Sequence, residues 1–266
     1  MTEEIFVRPV GTLDEAKAAA ELLDTVWEER RVIGIPLLWA MASHGGQVMG
    51  AFRGDDLVGT QVGVLGLSEG KPTLHSHITG VLPDVQHHGV GFQLKLAQRE
   101  WCLERGIGRV TWTFDPMVAR NAYFNLVKLG AVAERFHRNY YGEMEDAFNR
   151  GDRSDRLEVI WELDSERVNV ALGLTEGQRP HDLFSFINLL VRDEDGRPKT
   201  NDLVDHPSWD QVIVTVPEQY HALRAEDPER AKVWRDAVGD ALEEAIAQGY
   251  RAVSFIRKAG YVLERS

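Results

Sequence analysis

The sequence predicts an α/β fold: an amino-terminal meander of strands, helices before and after it, and a further α/β segment towards the carboxy terminus. Three observations carry this. Short runs with strand character are separated by turn residues, Arg53-Gly54-Asp55-Asp56 and Glu69-Gly70-Lys71-Pro72. Longer stretches, Thr12 to Trp27 and Pro228 to Gln248, repeat apolar residues at helical spacing. Between them, Leu74 to Leu103 (LHSHITGVLPDVQHHGVGFQLKLAQREWCL) reads as a strand, a proline-broken turn, a glycine-bearing loop and a long helix.

Taken in order, Ile5 to Arg8 is a short strand halted at Pro9, and Thr12 caps the first helix with Glu15 at capping-box spacing. Ala16, Ala19, Ala20, Leu23 and Trp27 form its apolar face. Ile35 to Ser43 is a second helix, begun near Pro36 and ended by His44-Gly45-Gly46. Gln47 to Arg53 and Leu57 to Leu67 are strands, and Leu74 to Val81 is the next, stopped by Pro83. Val90, Leu94, Ala97 and Trp101 are one face of the helix that follows, which Gly106 terminates. Arg109 to Phe114 is a strand with Val110, Trp112 and Phe114 on one side and Thr111 and Thr113 on the other. Arg120 to Leu129 reads as a helix, Ala131 to Phe136 and Arg156 to Leu163 as strands. Beyond that, 176–180 and 194–205 read as loops, Gln211 to Val216 and Ala252 to Ile256 as strands, and Pro228 to Gln248 as a helix. The joints at Gly106 and Gly249, each helix, glycine, strand, suggest a partial internal repeat.

The formal charge of -12 and the absence of clustered Lys and Arg speak against nucleic acid as a partner. No apolar run approaches the roughly eighteen residues a membrane span needs, and Met1-Thr2-Glu3-Glu4 is not the start of a signal peptide, so a soluble, cytoplasmic protein is expected. Cys102, the single cysteine, has no partner for an internal disulfide and reads as a packed thiol rather than a nucleophile. No zinc-ligand spacing is present, and no metal is expected.

Glycines at a strand-to-helix junction have a chemical consequence. The first NH groups of a helix lack partners within it and carry partial positive charge, and Gly89 and Gly91 present no side chain to keep a phosphate away. The run is neither a Rossmann fingerprint nor a P-loop. The pattern Gln86-x-x-Gly89-x-Gly91, after a strand and ahead of an amphipathic helix, resembles the acyl-CoA signature of the GNAT family of N-acyltransferases. The strand, two helices and three-strand meander before it are the order of the amino-terminal half of that fold, and Ala122, Lys128 and Gly130 fall in register with a later family motif.

The resemblance implies a GNAT fold, with a mixed, mostly antiparallel central sheet flanked by helices, over residues 1–164, and an additional carboxy-terminal α/β segment, 165–266, packed on it. It implies a bound acyl-CoA, acetyl or succinyl, and a small-molecule amine acceptor. The later run Arg120-Asn121-Ala122-Tyr123-Phe124-Asn125 and the carboxy-terminal segment resemble a subgroup encoded beside N-succinylamino acid racemases, which implies an amino acid acceptor. The cofactor residues implied are Val81, Leu82, Gln86, His87, His88, Gly89, Val90, Gly91 and Phe92, with Arg120 and Asn121. Backbone NH groups around Val81 and Leu82 would polarise the carbonyl.

The amine must lose a proton, and histidine titrates nearest neutrality. His77 is the first candidate base and His75 the second, since alternation puts both on one strand face. The family's thiolate-protonating tyrosine falls at Leu126 here, so Tyr141, or its neighbour Tyr140, is the candidate acid. Leu126 also keeps a second reading open, a catalytically idle acyl-CoA-binding module. The sequence leaves homodimerisation open.

Overall fold

The computed structural model describes residues 4–144, 150–177, 186–201 and 210–265. The chain divides into two compact units, Met1–Trp112 with Glu145–Gly151, and Thr113–Met144 with Asp152–Ser266.

The first unit begins with β1 (Ile5–Pro9), α1 (Leu13–Trp27) and α2 (Ile35–Ser43). Thr12 Oγ1 accepts from Glu15 N at 3.2 Å, as its spacing predicts. The Glu15 carboxylate reaches back to Gly11 N at 2.8 Å and pairs with Arg8, which fixes the entry of the chain into α1. β2 (Gln47–Arg53), β3 (Asp56–Ser68) and β4 (Lys71–Val81) form the antiparallel meander, and β5 (Arg109–Phe114) joins β4 in parallel through Leu74–Val110 and His75–Thr111. The strand order is β1-β2-β3-β4-β5.

Helices cover both faces of these strands. On one side Ala16, Ala19 and Leu23 of α1 pack with Leu38 of α2, Val48 and Val62. Full burial of a side chain such as Leu23 contributes about 2 kcal/mol. On the other, α3 (Val90–Leu103) lies so close to β3 that a Cβ on Gly59 would meet Val90 Cγ1 at 3.1 Å. Only a glycine strand surface admits that approach.

The second unit starts with α4 (Ala119–Ala122), which passes into a π-helical turn, Tyr123–Lys128, rather than continuing as the α-helix to Leu129 that the sequence predicts. Leu129 N bonds to Phe124 O at 3.0 Å, and the wider turn lets three consecutive residues, Asn125, Leu126 and Val127, all be buried. β6 (Val132–His137) and β7 (Arg156–Glu162) form an antiparallel pair, followed by α5 (Glu166–Ala171), β8 (Phe186–Arg192), β9 (Pro198–Thr200), β10 (Gln211–Val214), α6 (Tyr220–Glu226), α7 (Pro228–Ala247), β11 (Tyr250–Ile256) and β12 (Gly260–Arg265). Their order in the sheet is β7-β6-β11-β12-β10-β8-β9, antiparallel except for β8 beside β10. The mixed, mostly antiparallel α/β architecture predicted from the sequence is present.

Several elements correct the sequence reading. α5, β8, α6 and β12 were not legible: the helices are too short to show a period, and Phe186–Arg192 is an apolar run without alternation. Pro198–Thr200, inside a stretch read as loop, pairs with β8. Residues 178–180 and 202–205 of the two expected loops lie outside the described residues. The two helix-glycine-strand joints are both present, with Gly106 and Gly249 left-handed at φ 69 and 85.

The β11–β12 turn is packed closely against β10. Gly260 has φ 127, and a Cβ there would lie 2.1 Å from Val214 O. Gly260→Ala is therefore expected to destabilise the protein by about 2–4 kcal/mol in urea unfolding; unchanged stability would show that the turn adapts freely.

Candidate functional site

β4 ends at Val81, and Pro83–His88 forms a 3-10 turn. Gln86 is exposed and its Nε2 donates to Val81 O at 3.1 Å, folding the turn back on the strand it left. Gly89 then takes φ 76 and ψ 10, a left-handed conformation that reverses the chain into α3. Phe92 N and Gln93 N donate to Gly89 O at 2.9 and 3.0 Å, which starts the helix. Among the described residues no side chain caps this end. A Cβ built at Gly89 or Gly91 meets nothing within 4 Å, so the outward side of the first turn is open. The left-handed φ demands glycine at 89; at 91 the backbone does not, and the open side is what its missing side chain preserves. Val90 is buried beneath the junction, Phe92 is half-buried, and His88 is exposed. The side chain of His87 lies outside the described residues. The predicted run from Val81 to Phe92 is thus one continuous structure whose outward side is open at Gly89 and Gly91. One part of it is already engaged: Leu82 N donates to Val58 O at 3.0 Å, so its NH is committed to the sheet rather than free to polarise a carbonyl.

The two candidate bases sit on β4 upstream. Val62 pairs with Ile78 and Gly63 with Ser76, leaving His77 as the extra residue of a bulge. The bulge interrupts the alternation assumed from sequence, but the two rings remain neighbours with centroids 6.3 Å apart. His75 is half-buried, with Nδ1 3.3 Å from Thr111 Oγ1 on β5. His77 is exposed by area, yet protein packed along the strand desolvates its ring and lowers its pKa below the ordinary 6.5. It is therefore neutral, and able to take a proton, at pH 7.

Behind this strand lies a group the sequence reading missed. Lys95 of α3 is buried, and its Nζ donates to Ser76 Oγ at 2.9 Å and to Gln98 Oε1 at 3.1 Å, 3.8 Å from the centre of the Trp112 ring. Gln98 Nε2 donates to Gln47 Oε1 at 3.2 Å, and Gln61 Nε2 to Thr79 Oγ1 at 3.3 Å. The signal was in the sequence: Lys95 and Gln98 stand on the stripe that also carries Leu94, Trp101 and Cys102, where polar residues on a buried face require partners. Among the described residues no carboxylate answers the ammonium, and burial pulls its pKa down to about 7.

The remaining predicted residues belong to the second unit. Tyr141 is exposed, its hydroxyl 3.2 Å from Thr113 Oγ1 and its ring beneath Arg156. Tyr140 packs edge-on to Tyr141 and beside His137. Leu126 is buried. Asn121 N bonds to Val118 O at 2.9 Å within the start of α4, and Arg120 is exposed beside it. A buried ion cluster went unseen: Arg235 of α7 joins Asp115 at 2.9 Å and Asp152 at 2.8 Å, with Tyr220 donating to Asp152. Burial alone would lower the Arg235 pKa, but Asp115 raises it above its ordinary range. Partners so far apart in the chain leave no local signal. Among the described residues no cluster of three or more His, Cys, Asp or Glu side chains is arranged to hold a metal ion, and no helix is long and apolar enough to cross a membrane.

No protein-family model matches the sequence, and no curated protein matches it. Solved structures similar to the chain include the ribosomal-protein-S18-alanine N-acetyltransferase from Escherichia coli, at 14% identity and a TM-score of 0.48 over 61% of this chain and 96% of that one. An acetyltransferase of the GNAT family from Streptococcus pneumoniae is similar at 16% identity and a TM-score of 0.47, over 59% of this chain and 98% of that one. An aminoglycoside acetyltransferase from an uncultured soil metagenomic sample, in complex with sisomicin, is similar at 18% identity and a TM-score of 0.38, over 42% of this chain and 78% of that one.

Lys95 makes stability depend on pH. The ordinary lysine value is 10.5 and the buried value about 7, so between them the unfolded chain holds a proton the folded chain lacks, and stability rises with pH. Above pH 9 the effect is opposed by Cys102, whose thiol burial pushes up to about 12. From about pH 7 to 9 the protein is expected to gain roughly 1–2 kcal/mol, a gain that Lys95→Met should lack in urea unfolding at the two pH values. Equal pH dependence in both proteins would show that the ammonium is solvated.

Proposed function

We propose that this chain is an acyl-CoA-dependent N-acyltransferase of the GNAT type, moving an acetyl or succinyl group to the amine of a small molecule, an amino acid being the favoured acceptor. The observation that supports it most is the junction at Gly89, where a strand end, a left-handed glycine and the open first turn of α3 leave room and positive potential for a diphosphate. On this reading residues 1–164 carry the acyl-CoA function and 165–266 accompany it.

The residues that would hold acyl-CoA are the backbone from Val81 to Phe92, with Arg120 and Asn121. The thioester supplies an activated carbonyl carbon, which the amine nitrogen attacks with cleavage of the C–S bond. His77 is the favoured candidate to accept the amine proton: desolvation keeps it neutral and, among the described residues, no hydrogen bond occupies its ring. His75 is the second candidate, already held at Nδ1 by Thr111. The bulge releases the backbone at His77 from the ladder, which makes its NH a better candidate than Leu82 N for a donor to the carbonyl oxygen. Tyr141 is the candidate that would protonate the departing thiolate.

The buried leucine at position 126 favours one second reading, a module that binds acyl-CoA without turning it over. Thiol release from acetyl-, propionyl- and succinyl-CoA, each offered with pooled D- and L-amino acids, separates the two. Release that needs both partners supports the transferase; CoA binding in a calorimeter without release supports the module, and absence of binding overturns both.

Two variants sharpen this. Gly91→Glu sets a carboxylate in the open space at a helix start, where the fold tolerates or welcomes it, so melting should be unchanged or raised while CoA affinity falls at least about 100-fold. Retained affinity would refute the cradle. His77→Gln should lower kcat by about 10² to 10³ and abolish the acidic limb of the pH profile, since the base is lost as pH falls through the lowered pKa. An unaltered profile would remove His77 from the mechanism.

A further inference from the structure

The second unit contains a cavity of about 260 Å³ that the acyl-transfer reading does not use as a whole. Its inner wall is apolar, formed by the buried side chains of Val216 and Phe255 with the backbone of Gly260. Its rim carries Arg120 from α4 and Arg257 and Lys258 from the β11–β12 turn. Among the described residues none of these three cations has a carboxylate partner, whereas Arg138, Arg153, Arg224 and Arg235 of the same unit each reach one. In a chain with a net charge of -12, unanswered cations converging on one cavity are an electrostatic asymmetry.

The rim is also held in place. The Arg257 guanidinium lies over Tyr123 at 4.4 Å from the ring centre, which limits its rotamers without neutralising it. Ala259 N bonds to Ile256 O at 3.0 Å, and Lys258 sits left-handed at φ 69. The fit of Gly260 against Val214 O anchors the turn to β10. Glu218 stands at the same rim and disfavours a polyanion there.

We infer that this cavity is a binding site for a small organic carboxylate with an apolar body, its carboxylate at Arg120, Arg257 and Lys258 and its body against Val216 and Phe255. Guanidinium groups match a carboxylate in planar, two-point fashion, and the apolar wall rewards burial of the rest. The site belongs to the second unit alone, and Arg120 is the one residue it shares with the proposed acyl-CoA set.

Phenylacetate is the probe, with phenylacetamide as its neutral isostere and inorganic phosphate and CoA as competing anions, followed by calorimetry and by ligand-observed NMR. The expected result is phenylacetate binding at least ten-fold tighter than phenylacetamide. Arg257→Gln should weaken phenylacetate at least ten-fold with an unchanged melting temperature and unchanged CoA affinity, and Lys258→Gln should weaken it less. Absence of phenylacetate binding, equal binding of the amide, or undiminished binding to Arg257→Gln would overturn the proposal. Displacement of phenylacetate by inorganic phosphate at lower concentration would reassign the site to phosphate, and displacement by CoA, with CoA affinity lost in Arg257→Gln, would reassign it to the cofactor. Either result overturns the carboxylate assignment.

Discussion

A left-handed backbone at Gly89 joins the end of β4 to the start of α3, and the chemistry available to the first unit follows from it. The strand must stop, turn through Pro83–His88 and enter a helix whose start is open at Gly89 and Gly91. A residue with a Cβ would strain φ 76, and a side chain at Gly91 would fill the approach. Gln86 spends its amide on Val81 O, so the turn is closed by the chain's own side chain and its shape does not wait for a ligand. Preformed geometry of this kind lowers the ordering cost of binding.

The same helix carries a cation where hydrophobic packing alone would be cheaper. Lys95 keeps its amine in the core through Ser76, Gln98 and the face of Trp112, and the glutamines continue the chain of donors and acceptors towards β2 and β3. A buried polar network of this sort is tolerated because its members satisfy each other; removing one strands the rest. Ser76 neighbours the bulged His77, so the network braces the strand at the place where its alternation breaks. The position of a candidate base thus depends on a side chain arriving from the opposite face.

The second unit solves a different problem with charge. Arg235 and Arg153 are matched by Asp115, Asp152, Asp155 and Asp236, and these pairs tie α7 to the end of β5 and to the segment before β7. Among the described residues Arg120, Arg257 and Lys258 stand at a cavity rim without such partners. Their convergence on one cavity, rather than the lack of a partner alone, is what the proposed carboxylate site rests on.

Local events were legible in the residues alone. Periodicity, the Thr12 cap, glycines with left-handed φ and proline stops placed the meander, α1, α2, α3, β5 and α7, because each is decided by residues within a turn or two of one another. The sequence also located the glycine junction and both histidines. It did not reveal α5, α6, β8, β9 or β12, which are too short or too uniformly apolar to show a period. The π-turn at Tyr123–Lys128 was hidden for another reason, since burial of three successive side chains is a demand of packing and not of propensity. It took the folded chain to show that His77 is a bulge, that Leu82 N is already bonded, that among the described residues Lys95 has no carboxylate and that Arg120 meets Arg257 at one cavity. Each of these depends on which distant segments touch, and a buried group's charge, donors and strain are set by those neighbours rather than by its own place in the chain.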